Sequence, residues 1–126
     1  MIYYFARTST TPEVNFNFSS NSLSLSGEAY PENAAEFFNP ILEKIQTYLS
    51  SIEDETVTFN VDLTYFNSAA TKMLYRLFGL LNDAAAAGNQ IILNWYHDEE
   101  DVTSLEFGED IKEEFCELSF NAIATH

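Results

Sequence analysis

Thr56-Val57-Thr58-Phe59-Asn60-Val61-Asp62-Leu63-Thr64-Tyr65-Phe66-Asn67-Ser68-Ala69-Ala70 is the stretch that decides the fold. Its opening is rich in β-branched side chains. Val57, Phe59, Val61 and Leu63 alternate with polar Thr58, Asn60, Asp62 and Thr64, which marks a strand with one buried face. Tyr65-Phe66 continues the strand into Asn67-Ser68, two helix-capping residue types. From there the period changes. Ala70, Met73, Leu74, Leu77, Phe78, Leu81 and Ala84 fall three or four apart, the spacing of one helix face, and predict a helix over 69–87. Gly88-Asn89 supplies its C-terminal signal. Ile91-Ile92-Leu93-Asn94-Trp95-Tyr96 then suits a buried central strand. Strand, helix, strand in direct succession implies parallel pairing with the helix packed on the sheet.

On either side of this stretch the same two periods recur. Val14, Phe16 and Phe18 alternate with Glu13, Asn15 and Asn17; Leu23 and Leu25 alternate with Ser22, Ser24 and Ser26. The cluster Ser19-Ser20-Asn21-Ser22 between them predicts a hairpin, and Gly27 ends it. Tyr30-Pro31-Glu32-Asn33 reads as a helix entrance, with a proline and an acid near the first turn. Phe37, Phe38, Ile41, Leu42, Ile45 and Leu49 follow at helical spacing as far as Ser50-Ser51. Pro40 either kinks this helix or marks its real first turn. After the acidic run 98–101, a helix over 101–116 is expected to carry Val102, Leu105, Ile111 and Phe115 inward. Phe120, Ala122 and Ile123 suggest a last strand. The order β-β-α-β-α-β-α-β predicts an α/β fold, a mixed sheet of about five strands with helices packed on it. Residues 1–12 are polar, end in Thr11-Pro12 and read as a loose leader; 13–126 read as a single domain.

Composition narrows the function. The chain has 126 residues, of which 46% are apolar, with eleven Phe, seven Tyr and one Trp, enough to order most of it. Twenty acidic residues against five basic ones give a formal net charge of -15. Such a surface repels phosphate backbones and anionic lipid, so nucleic acid and membrane are excluded as partners. The acidity either keeps the chain soluble or steers in a partner with a basic face. No stretch has the roughly 18 apolar residues of a membrane span. The N-terminus lacks the apolar core of a secretory signal, which makes cytoplasm the expected location. An apolar edge strand or a Tyr-rich patch would look the same in a monomer and an oligomer.

Enzyme chemistry finds little support. Gly27, Gly79, Gly88 and Gly108 are too scattered for a phosphate-cradling loop. The histidines are His97, expected in an exposed loop, and His126. With the single cysteine they make no zinc cluster and no catalytic triad, and no cofactor is implied. Cys116, expected in or beside the core, lies among Glu113, Glu114 and Glu117, which disfavour a thiolate. The run 98–101 lacks the glycine and the closing spacing of a calcium loop. A small metal-dependent enzyme using acidic side chains is the remaining catalytic alternative. It requires a carboxylate cluster in a concave pocket.

The junction from Leu63 to Lys72 remains. A helix start leaves backbone N–H groups without partners, and Asn67 or Ser68 can cap them. Many such junctions are caps and nothing more. The functional alternative is a phosphorylation switch at Ser68. A phosphoserine would set nearly two negative charges against the positive end of the helix, a local gain of roughly 0.3–2 kcal/mol. The fold would tolerate it while a docking surface changed from a neutral hydroxyl to a dianion. Lys72 stands four residues on over the same face, with Arg76 a turn further, so two of five basic residues follow the junction.

Three segments carry a family resemblance: Ser26-Gly27-Glu28-Ala29-Tyr30-Pro31-Glu32-Asn33, then Tyr65-Phe66-Asn67-Ser68 running to Lys72, and Asn94-Trp95-Tyr96. With the element order they make the chain resemble the SiaC-type regulatory phosphoproteins of bacteria, relatives in fold of the STAS anti-sigma-factor antagonists. The likeness runs from about Val14 to Ile123. It implies a STAS-like domain with no enzymatic activity of its own. The hydroxyl residue after the junction Asn is the phosphoacceptor in that family, which implies Ser68. Ser68 stands where the best-known member has threonine, and Ala69 and Ala70 stand where it has serines. Thr71 and Thr64 are the fallback acceptors.

The resemblance further implies a cognate serine/threonine kinase and phosphatase. It implies an unphosphorylated form that binds and activates a diguanylate cyclase, controlling cyclic-di-GMP signalling and biofilm formation. Tyr30, Pro31, Glu32, Asn33, Asn67, Lys72 and Arg76 are the expected partner-binding residues. The alternative within the same fold is an anti-sigma-factor antagonist in a partner-switching cascade, with an anti-sigma factor as partner.

Overall fold

The computed structural model describes residues 2–125. The deciding strand forms as read: β4 (Thr56–Phe66) lies between β3 (Ser22–Ala29) and β5 (Gln90–Asp98), parallel to both. Beyond β3 come β2 (Glu13–Asn17) and β1 (Ile2–Phe5), each antiparallel to its neighbour; beyond β5 lies β6 (Ser119–Thr125), parallel to it. The helices are α1 (Ala34–Ser51), α2 (Ser68–Ala86) and α3 (Val102–Glu114).

The six strands stand in the sheet in chain order. The three crossovers, through α1, α2 and α3, therefore all step the same way. Right-handed connections then place all three helices on one face. Burial agrees. Leu23, Leu25, Val57, Phe59, Val61, Leu63, Ile91, Leu93 and Trp95 point to the helices and are at most 3% exposed. The α2 face of Ala70, Met73, Leu74, Leu77, Phe78, Leu81 and Ala84 is buried as the spacing predicts.

Among the described residues, no helix covers the opposite face of the sheet. There Asn15, Ser24, Asn60, Asn94 and Asn121 stand in one row by register. Asn121 Nδ2 donates to Asn94 Oδ1 at 3.0 Å, and Asn94 Nδ2 to Asn60 Oδ1 at 2.9 Å. Polar residues at this parity explain why the alternation is so legible: one side of every central strand is dry and the other wet.

Several expectations are corrected. The stretch read as a loose leader contains β1: Ile2–Phe5 pairs with β2 from Ile2↔Asn17 to Phe5↔Val14. Tyr3 stacks on Phe16 at 6.0 Å between centroids, so aromatic packing holds an edge that polarity alone would leave free. The sheet gains a sixth strand from it. Met1 and His126 lie outside the described residues. Pro40 sits inside α1 rather than at its first turn; the helix starts after Asn33, whose Oδ1 accepts from the Glu36 N–H at 3.1 Å.

On α3 the inner residues are Ser104, Gly108 and Ile111, while Val102 is 62% exposed and Leu105 and Phe115 are half-buried. Small residues face inward because the Trp95 indole fills the space: a β-carbon on Gly108 would meet Trp95 Cδ1 at 2.7 Å. His97, expected in an exposed loop, is 7% exposed. β5 runs past its apolar segment, and His97 falls at the buried parity with Nδ1 3.1 Å from the Asp98 carbonyl oxygen. Cys116, expected in or near the core, is exposed just beyond the end of α3.

Candidate functional site

The register of β3 against β4 shifts at the end of the pair. Gly27 pairs with Leu63 and Glu28 with Tyr65, leaving Thr64 as an extra residue. Strict alternation would bury Tyr65 and expose Phe66. The bulge reverses this, so Phe66 turns inward against Trp95 (5.8 Å) and Phe107 (4.9 Å), while Tyr65 is 51% exposed. Gly27 permits the shift: its φ is +124°, and the Arg7 side chain lies 3.3 Å from where a β-carbon would be.

Two helix starts follow side by side. At the end of β4, the Asn67 N–H donates to the Ala29 carbonyl at 3.2 Å, tying the junction to the end of β3. Asn67 is extended, and its Oδ1 accepts from the Ala70 N–H at 2.9 Å. The cap is thus Asn67, and Ser68 is the first residue of α2, exposed. At the end of β3, Asn33 caps α1 in the same way. In a sheet with parallel strands, the region beyond the strands' C-terminal ends is where ligands and partners are commonly met.

Between the two helix starts lies an open hollow of about 1170 Å³. Pro31, Glu32 and Asn33 line one side, Ser68 and Lys72 the other. Five of the expected site residues are therefore brought together. Both helix dipoles direct their positive ends here, Lys72 adds a charge, and Glu32 and Glu36 oppose it. The site can hold a modest negative charge on Ser68 without being a preformed anion trap.

Asn67 caps α2 directly before Ser68, and the remaining expected residues lie outside the lining. Tyr30 is half-buried with its ring edge-on to Tyr65 at 5.3 Å, beside the hollow. Arg76 reaches Asn39 Oδ1 at 3.4 Å and lines a separate depression between α1 and α2. Thr71 is half-buried, and its hydroxyl donates to the Asn67 carbonyl at 3.1 Å. Thr64 is exposed, with its hydroxyl 3.3 Å from the Gly27 carbonyl.

Sequence reasoning missed Thr11, Phe37 and Met73, which complete the walls. Thr11 arrives from the loop after β1, which is pinned where the Tyr30 N–H donates to the Thr10 carbonyl at 2.8 Å. No local signal marks such a residue. Among the described residues, no three His, Cys, Asp or Glu side chains are grouped as a metal ion needs. Among the described residues, no helix is long and apolar enough to cross a membrane.

Comparison with known proteins agrees with this architecture. A family model described as SiaC family regulatory phosphoprotein matches residues 5–125. An uncharacterized protein of Pseudomonas aeruginosa (strain UCBPP-PA14) is 27% identical over 119 residues, covering 94% of this chain and 92% of that protein. The crystal structure of apo-SiaC from Pseudomonas aeruginosa superposes with a TM-score of 0.89 at 25% identity, covering 98% of this chain and 99% of the other. A chain in the crystal structure of the diguanylate cyclase SiaD in complex with its activator SiaC, from the same organism, gives 0.89 at 24% identity with the same coverage.

Proposed function

The chain belongs to the SiaC family of regulatory phosphoproteins, and on that premise we propose that it is a phosphorylation-gated binding protein acting through Ser68. In its unphosphorylated form it binds and activates a diguanylate cyclase in the cytoplasm, and a cognate kinase and phosphatase set the fraction in that form. It works by binding and carries out no catalysis itself.

The observation that carries this reading is the division of labour at the junction. Asn67 caps α2, which leaves the Ser68 hydroxyl exposed on the wall of the hollow rather than spent on the helix end. A phosphate there replaces a small neutral group by a dianion at a helix N-terminus, which the dipole and Lys72 tolerate. The modification changes what can dock between the two helix starts without melting either one. The likeness to the SiaC activator of a diguanylate cyclase supports the choice of partner.

The experiment compares the unmodified chain, the Ser68-phosphorylated chain, and the Ser68→Ala and Ser68→Asp variants for binding to a co-encoded diguanylate cyclase and for cyclic-di-GMP produced. Unmodified and Ser68→Ala chains should bind and activate, and the phosphorylated chain should do neither. Because Asp is a poor phosphoserine mimic, phosphorylation is verified by mass spectrometry. Equal binding by phosphorylated and unmodified chains would sink the switch.

A further inference from the structure

The helices cover one face of the sheet, and the other face has a distinct chemistry. No strand carries a Lys or Arg: Lys44 is on α1, Lys72 and Arg76 on α2, Lys112 on α3, and Arg7 in the loop after β1. The uncovered face does carry acids. Glu13, Ser26, Asp62 and Tyr96 stand in one row across β2 to β5. Glu28 and Tyr65 form the next pair in the bulged register. Tyr4 donates to a Glu13 carboxylate oxygen at 3.0 Å, and Tyr30 meets Tyr65 edge-on. Beside them runs the row of asparagine amides joined by the Asn121–Asn94–Asn60 bonds. The six strands, at roughly 4.8 Å apart, make this face about 24 Å wide.

We infer that this open face is a second docking surface, for a segment of a partner protein that carries arginine and lysine. No strand sets a cation among these carboxylates, and Arg7 is the one basic side chain close by, packed against Gly27 beside Glu28, so the face is predominantly negative. Tyrosine rings beside them offer the π-faces that guanidinium groups stack on, and the asparagine amides offer both donors and acceptors. A second copy of the chain would set acid against acid across the face, in a protein of net charge -15. The surface lies on the opposite side of the sheet from α1 and α2 and borders the Ser68 hollow at its Tyr30–Tyr65 end; it holds whether or not Ser68 is the switch.

The test titrates a synthetic Arg-Ala peptide into the full chain with isotope-labelled amides near 0.15 M salt, where charges are screened beyond about 8 Å. Shifts should concentrate at Glu13, Glu28, Asp62, Tyr65 and Tyr96. The pair Glu28→Gln with Asp62→Asn should weaken binding roughly fivefold. The control pair Glu43→Gln with Asp83→Asn removes the same charge from the helices and should leave affinity nearly unchanged. Thermal melts confirm that both variants fold. Equal weakening by the two pairs would reduce the effect to net charge and overturn the inference. Shifts confined to α1 and α2, or self-association of the open faces without peptide, would also overturn it.

Discussion

The Trp95 indole lies so close to Gly108 that a β-carbon there would sit 2.7 Å from its Cδ1 and 3.0 Å from its Nε1. The same Nε1 donates to the Ser104 carbonyl at 3.0 Å, so α3 is held to β5 both by contact and by a buried hydrogen bond. Gly108→Ala cannot fit without moving the ring. Its destabilisation is expected at about 1–3 kcal/mol despite the better helix propensity of alanine. Urea unfolding followed by the fluorescence of this single tryptophan reads it. A neutral or stabilising result would show that α3 slides freely on β5.

The cap is the second point of leverage. Asn67→Ala removes the acceptor for the Ala70 N–H and should cost about 1 kcal/mol. Ser68→Ala, one residue on, should cost less than about 0.5 kcal/mol because the side chain is exposed. A chemical denaturation series on the two variants separates cap from switch. The reverse ranking would mean that Ser68 holds the helix end.

Acceptor choice follows from the same turn. Phosphorylating Thr71 requires breaking its bond to the Asn67 carbonyl and drawing a half-buried residue out. Mass spectrometry after co-expression with the cognate kinase should find phosphate on Ser68, and Ser68→Ala should lose it without transfer to Thr71 or Thr64. Comparable phosphate on Thr71 in that variant would contradict the assignment. Melting of the modified chain should be no lower than that of the unmodified one, since the dipole favours the added charge.

Tyr48 predicts a limit at high pH. Burial, and then the nearby charge of Glu55, push its hydroxyl from the usual value near 10 up to about 12. The folded state therefore holds this proton more tightly than the unfolded state. The stability so contributed is fully present below pH 10 and is lost as pH rises through about 12. Melting temperature should fall across that window. Tyr48→Phe should flatten the fall, while losing the hydrogen bond to Asn21 Oδ1 costs about 1 kcal/mol at neutral pH. An unchanged alkaline profile in Tyr48→Phe would remove Tyr48 as its source.

By itself the sequence determined the elements wherever burial is one-sided. Val57, Phe59, Val61 and Leu63 alternate because one face of β4 is dry, and the α2 stripe repeats every three or four residues because one face of the helix is dry. It also determined the Asn67-Ser68 helix start, since capping chemistry is local. Tertiary structure alone decided what depends on distant chain. β1 exists because Tyr3 packs on Phe16, α3 faces inward with Ser104 and Gly108 because Trp95 takes the space, and Tyr65 is exposed because a bulge at Thr64 reverses the alternation. The Ser68 hollow likewise needs Asn33 and Thr11, residues brought in by pairing and loop placement. Periodicity records which side of an element is dry; it does not record which element makes it so.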